Sequence, residues 1–333
     1  MSMKPVLDGY EFYERIGMGT FGKVYRAKNI RTQEICAIKV ISLENATSRT
    51  LTCLSREILT LRSVSHENIV RLLDVASSSK SKFLILEYCN GGDLYSYLKS
   101  RERLTESFVQ KVIQQLVKGM NQLHELSYIH RDIKLANVFL SFNSGDNENV
   151  KVKLGDLGLA REMNLGDILV DPNTPLNMSI VGTLPNMAPE IINRLPYSFT
   201  VDIWSLGLFT YELVCGKECF NGKTKNELNR SISTGIYRIP KSISKGCIDF
   251  ISRCLIEDPK ERIKWEEVLN HPFVKGELRD GSIGKGLIGE DEDHYIMTTK
   301  RITLNCKPTF TDSEYEIIDV ETWSKEDNNF VII

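Results

Sequence analysis

Apolar and polar residues follow two different periods along this chain. Up to about residue 89 the pattern is mainly that of strands. Tyr10 to Gly17 runs into a glycine turn, Lys23 to Ala27 alternates, and Ile35 to Ile41 is apolar apart from Lys39. Ile69 to Val75 and Phe83 to Tyr88 are two further apolar runs of strand length. Leu51, Leu54, Ile58 and Leu61 recur every three or four positions, which predicts a helix from about Ser48 to Leu61. From Asp93 onward the period lengthens, and Phe108, Val112, Leu116, Met120 and Leu123 fall on one helical face. Val201 to Cys215 is apolar around much of its circumference and predicts a buried helix. Shorter helical pieces are expected near Glu227–Thr234, Ile248–Ile256 and Glu266–Asn270, and strand pieces at Val138–Leu140 and Val150–Leu154. Asn143 to Asn149 reads as a surface loop between those two strands, and Asn164 to Ser179 as a mobile loop. The fold class is therefore α+β: a small, β-rich unit with one helix, followed by a larger helical unit.

Composition narrows the function. Lys and Arg number 42 against 44 Asp and Glu, so the charge balance offers no attraction for nucleic acid or an anionic membrane. The eight cysteines are scattered without a Cys-x-x-Cys pair, as expected of buried thiols in a reducing compartment. No apolar leader follows Met1, and no stretch approaches the roughly 20 apolar residues that span a bilayer. These features predict a cytoplasmic chain, with the nucleus as a second compartment. After Lys275 the composition shifts to glycine-rich Gly281–Gly289 and the acidic run Glu290–Asp293, which reads as the start of a flexible acidic tail. That run lacks the oxygen-ligand spacing of a calcium loop.

Candidate chemistry lies in a series of short motifs. Gly17-Met-Gly19-Thr-Phe-Gly22-Lys-Val24 fits either a dinucleotide-binding turn or a glycine hairpin over phosphates. A strand-like Lys-Val-Tyr-Arg-Ala follows it, where a dinucleotide site needs a helix; this favours a hairpin whose backbone N–H groups approach a phosphate chain. Lys39 stands on an apolar strand, where burial is costly without a partner, and Glu57 shares the helical face of Leu54, Ile58 and Leu61. Downstream come His130-Arg131-Asp132-Ile133-Lys134-Leu135-Ala136-Asn137, then Asp156-Leu157-Gly158, Ala188-Pro189-Glu190 and Arg262.

In that order these motifs resemble the protein kinase family, from about Gly9 to Val274. The resemblance implies a bilobal fold, with an antiparallel sheet and one helix at about 9–89 and a helical lobe at about 90–274, between an extension (1–8) and the tail (275–333). It implies ATP and Mg2+ as cofactors, protein Ser/Thr hydroxyls as substrates, and no nucleic-acid partner. Ile16, Gly17, Gly19, Gly22, Val24 and Ala37 would enclose the nucleotide. Leu86 would gate the adenine pocket, with Glu87 and Cys89 offering backbone hydrogen bonds. Lys39, paired with Glu57, would anchor the α- and β-phosphates. Asp132 would accept the hydroxyl proton, Lys134 neutralise the phosphoryl charge, and Asn137 with Asp156 hold the metal. His130, Glu190, Asp202 and Arg262 are structural, with Glu190 paired to Arg262 and Asp202 holding the backbone of the 130–137 loop.

Lys134 and Thr183 resemble the serine/threonine branch, with Thr183 expected to contact Asp132 and Lys134. Arg131 resembles the arginine of kinases switched on by loop phosphorylation, with Ser179 the first candidate site and Thr174 the second. Leu157 replaces the usual Phe, and Leu184-Pro-Asn186 departs from the commoner substrate-loop form. Asp93 and Glu212 are candidates for reading basic residues in a substrate. Glu87–Leu94, Gln114-Gln115, Ile129–Asp132 and Glu261–Phe273 resemble the unc-51-like, autophagy-initiating kinases. Tyr315–Ile318 and Phe330–Ile333 resemble segments that add a strand to a ubiquitin-like autophagosome modifier. A catalytically silent kinase scaffold, a non-kinase nucleotide-binding protein and a nucleic-acid module are the rival readings; a scaffold would lack Lys39, Asp132, Asn137 or Asp156, all of which are present.

Overall fold

The computed structural model describes residues 5–19, 22–44, 46–101, 104–143, 146–163, 186–222, 224–276 and 294–300. These form two compact units. The first takes the described residues through Leu94, with Lys118–His130 and Ala136–Arg161. The second takes Tyr95–Val117, Arg131–Leu135 and the described residues from Glu162 onward.

The first unit is built on five antiparallel strands: β1 (Tyr10–Gly19), β2 (Gly22–Asn29), β3 (Ile35–Ser42), β4 (Leu72–Ser77) and β5 (Ser81–Glu87), in the order β1-β2-β3-β5-β4. Period-two alternation on β3 sends Cys36 and Ile38 into a core with Phe12, Ala27, Phe83 and Ile85. Ala37, Lys39 and Ile41 have the opposite parity. Helix α1 (Ser48–Ser63) starts where the Thr47 hydroxyl accepts from the Thr50 amide, and it buries Leu54, Glu57, Ile58 and Leu61. Leu51, read as part of that apolar face, is half-exposed, because the buried stripe begins a turn later.

The expected strand from Ile69 is corrected to one starting at Leu72. Ile69 and Val70 are buried for a different reason: Ile69 bridges in parallel to Leu154, and the Val70 amide donates to the Leu154 carbonyl. This ties the segment to the hairpin of β7 (Val138–Asn143) and β8 (Asp146–Leu154), so the hairpin belongs to the same unit as the sheet. Of the stretch 143–149, expected as a loop, the described residues 143 and 146–149 are strand, because the ladder from Val138↔Leu154 to Asn143↔Asp146 needs backbone pairing and not apolar side chains.

Helix α2 (Leu94–Arg101) and helix α3 (Glu106–Glu125) follow the sheet, and the two-residue strand β6 (Tyr128–Ile129) precedes the 130–137 loop. Val112, Leu116, Met120 and Leu123 on α3 are fully buried, and Phe108 stacks on Tyr97 with centroids 5.4 Å apart.

The two-residue strand β9 (Arg161–Glu162) is followed by α4 (Pro189–Ile192), α5 (Thr200–Cys215), α6 (Lys225–Thr234), β10 (Ile236–Pro240), α7 (Lys245–Cys254), α8 (Trp265–Asn270), α9 (Pro272–Lys275) and β11 (His294–Thr298). Helix α5 is buried almost all round, with Trp204 stacked on Phe220 at 5.9 Å. The buried Glu106 carboxylate accepts from the Ser244 amide and hydroxyl, joining the start of α3 to that of α7. Strand β11 corrects part of the expected flexible tail: His294 to Thr298 pairs with β10. The acidic run just before it conceals a short apolar core, Tyr295-Ile-Met297.

Candidate active site

In the first unit, β3 and α1 bring Lys39 and Glu57 together, with Nζ to Oε1 at 2.6 Å and side chains 6% and 2% exposed. The Asp156 carboxylate lies 3.6 Å from the same ammonium. Burial alone would pull the Lys39 ammonium down, but Asp156 and Glu57 outweigh it and hold it above the ordinary lysine value. Asp156 takes its place through backbone strain, with φ 52° and ψ 65°, a left-handed conformation that non-glycine residues rarely adopt. A short 3-10 turn, Leu157–Leu159, follows it and packs on α1; Leu157 is buried there as an apolar residue.

The turn is anchored from behind. The fully buried His130 ring has Nε2 at 3.1 Å from the Gly155 carbonyl, and the Gly155 amide donates to the Asn137 carbonyl at 2.8 Å. Two carboxylates around one ammonium leave a formal excess of negative charge, which suits a divalent cation near Asp156 and Asn137. Among the described residues no three His, Cys, Asp or Glu side chains converge as a self-sufficient metal site. A cation here would complete its shell with phosphate oxygens or water, which is how Mg2+ is usually held.

On the sheet, Gly17 pairs with Val24, Val24 with Lys39, and Ala37 with Leu86. Ile16 is exposed, and Gly19 pairs with Gly22 at the hairpin end. Gly22 is required by close approach: a Cβ there would lie 2.2 Å from the Val40 carbonyl oxygen. The Glu87 amide is taken by the Arg71 carbonyl at 2.9 Å, so it is not open to a ligand. Burial, with Glu87 nearby, pushes the Cys89 thiol up to about 12, so it is a neutral group beside that segment. Lys153, which the alternating Val-Lys-Val-Lys-Leu run did not distinguish, pairs with the Glu87 carboxylate at 2.7 Å.

In the second unit, Lys134 Nζ stands 2.8 Å from the Asp132 carboxylate. Arg131 also has a positive φ, 67°, and its amide donates to the fully buried Asp202 carboxylate in the first turn of α5 at 2.8 Å. Its guanidinium donates to the Tyr197 hydroxyl at 3.0 Å, a partner with no signal in the sequence. Arg262 grips Glu190 with two bonds, 2.8 and 3.1 Å, and also donates to the carbonyls of Ile256, Thr200 and Glu257. The Ser205 hydroxyl on α5 donates to the Asn186 carbonyl at 3.0 Å. Burial, with Glu218 beside it, raises Glu212 to about 7 against the pull of Lys99. Thr183, Ser179, Thr174, Leu184, Tyr315–Ile318 and Phe330–Ile333 lie outside the described residues.

The sequence is similar to those of known proteins. The protein kinase domain family matches residues 10–274. The chain is 34% identical over 278 residues to serine/threonine-protein kinase atg1 of Dictyostelium discoideum, covering 82% of this chain and 40% of that protein. It is 33% identical over 272 residues to serine/threonine-protein kinase 36 of Mus musculus, covering 82% of this chain and 20% of the other. Against maternal embryonic leucine zipper kinase of Xenopus laevis it is 34% identical over 270 residues, 81% of this chain and 40% of the other. The match therefore spans well under half the length of each of these relatives. With the family domain spanning most of its length, from β1 to α9, the chain belongs to the protein kinase family.

Proposed function

We propose that this chain is an ATP-dependent protein kinase acting on serine and threonine hydroxyls. The observation that carries the reading is the buried cluster of Lys39, Glu57 and Asp156. A lysine kept charged in a dry site by two carboxylates is a fixed anchor for phosphate oxygens. Mg-ATP supplies the transferable γ-phosphoryl group, with its charge partly neutralised by the metal. On this reading Asp156 and Asn137 would hold the metal, and the glycine hairpin would cover the phosphates. Leu86 borders the adenine, with the Glu87 carbonyl and the Cys89 backbone as its hydrogen-bonding edge.

Asp132 accepts the proton of the substrate hydroxyl as its oxygen bonds to phosphorus, while the bond to the departing diphosphate breaks. Lys134, already 2.8 Å from Asp132, carries positive charge for the equatorial oxygens. Phosphate on Ser179, or on Thr174, would pair with Arg131 and switch the chain on. The likeness to serine/threonine-protein kinases atg1 and ATG1c supports a place in autophagy-type signalling. A ubiquitin-like modifier taken up by Tyr315–Ile318 or Phe330–Ile333 would fit that place. Cys36, Cys89, Cys215, Cys219, Cys247 and Cys254 are free thiols, in keeping with the cytoplasm or nucleus. Among the described residues no helix is long and apolar enough to cross a membrane.

The test is a peptide array with Ser, Thr and Tyr acceptors, incubated with Mg-ATP and either the wild type or Lys39→Met. Phosphate on Ser and Thr peptides, lost in the variant, is expected. Label on Tyr peptides alone, or none from a chain phosphorylated on its 164–185 segment, contradicts the proposal and favours a scaffold.

A further inference from the structure

Strand β11 lies beyond the family domain, which ends at residue 274. It pairs antiparallel with β10 in unbroken register, from Ile236↔Thr298 to Pro240↔His294. Met297 is 2% exposed and faces Tyr237 across the ladder, while Tyr237 meets Tyr211 and Phe220 edge-on at 5.9 and 6.0 Å. The next residue but one, Thr299, is fully buried. Its amide donates to the Gly235 carbonyl at 2.7 Å, and its carbonyl accepts from the Glu257 amide at 2.9 Å. Gly235 closes α6 with φ 71°, and a Cβ there would stand 2.9 Å from the Thr299 hydroxyl, so only glycine lets Thr299 come this close.

From Glu257 the bonding continues to the domain's buried ion pair. The Glu257 carbonyl accepts from Arg262, which holds Glu190 with both ends of its guanidinium. Thr299 thus braces the loop that positions Arg262. Thr299 and Lys300 also line a cleft of about 560 Å³ with Glu190, Asn193, Ile256 and Asp258. The Thr299 hydroxyl is buried in its wall without a hydrogen-bond partner.

We propose that residues 294–300 are an intramolecular strap that docks on the open edge of β10 and sets the position of the Glu190 turn. Thr299 is then a positioning residue for the segment that follows residue 186, on the protein-substrate side of the kinase. An added strand draws its affinity from backbone bonds and its register from one buried side chain, here Met297. This inference rests on the kinase reading for its kinetic consequence, but not for its structural one.

The test uses the full chain carrying Met297→Asp. Amide exchange should quicken at 236–240 and also at 256–263, and the KM for a peptide substrate should rise several-fold while the KM for ATP stays unchanged. A synthetic peptide of residues 291–302, added in trans, should restore both protection and peptide KM. Faster exchange confined to 236–240, or an unchanged peptide KM, overturns the proposal and leaves β11 a cover for Tyr237. If Met297→Asp gives no cooperative unfolding transition, Thr299→Pro, which removes the N–H to Gly235 together with the buried hydroxyl, is read the same way. The exchange result decides the strap even where no phosphoryl transfer is detected, so its failure and that of the kinase reading stay distinct.

Discussion

Glu190 and Arg262 carry their charges at 2% and 0% side-chain exposure, which is tolerable only because every bond is matched. Arg262→Ala leaves the Glu190 carboxylate buried and unpaired, and should cost about 3–5 kcal/mol, measured as a lowered denaturant midpoint. Glu212 behaves in the opposite sense, because its carboxyl is raised from 4.5 to about 7 by burial and Glu218. Between those values the folded chain holds a proton that the unfolded chain has released, so stability falls as pH rises from 4.5 to 7. A shift of that size corresponds to about 3 kcal/mol as an upper limit. Glu212→Gln should remove this slope and raise the melting temperature above pH 7, where the wild type has lost the full amount. An unchanged slope would show that Glu212 is better solvated than its surroundings indicate.

At the scale of elements, the glycine hairpin joins strands that are packed as tightly as the backbone allows. Gly22→Ala places a methyl group against the Val40 carbonyl and should cost about 1–3 kcal/mol in a denaturant titration, whereas space at Gly17 tolerates more. A neutral Gly22→Ala would mean that β2 and β3 separate easily at that end. Elements with a strong period were legible from sequence: β3, β5, α1, α3 and α5 lie within a few residues of the expected ranges. The pairs Lys39–Glu57 and Glu190–Arg262 also meet, because each combines a costly buried charge with one plausible partner. What escaped had no periodic signal. Ile69 and Val70 were apolar for the sake of β8, and Lys153 took its partner from a segment 66 positions away, at Glu87. Tyr197 is one tyrosine among 12, and β11 is too short for its alternation to stand out after four acids.

At the scale of the whole chain, the groups proposed to act are divided between the two compact units. Lys39, Glu57, Asn137 and Asp156 belong to one, and Asp132 and Lys134 to the other, although Asp132 and Asn137 are five positions apart in sequence. Backbone strain marks a residue of each set's framework, Asp156 in one and Arg131 in the other. Such strain persists where surrounding bonds overdetermine it, here Gly155 to Asn137 and Arg131 to Asp202.

The most direct measurement compares phosphoryl transfer from Mg-ATP to a Ser/Thr peptide by the wild type and by Asp132→Asn, at matched folding stability. The variant keeps a side chain of the same size but loses the proposed base, and its kcat should fall by about 10²–10⁴-fold. Equal rates in the two proteins, or no transfer by a wild type phosphorylated on its 164–185 segment, would contradict the assignment of this chain as an active kinase.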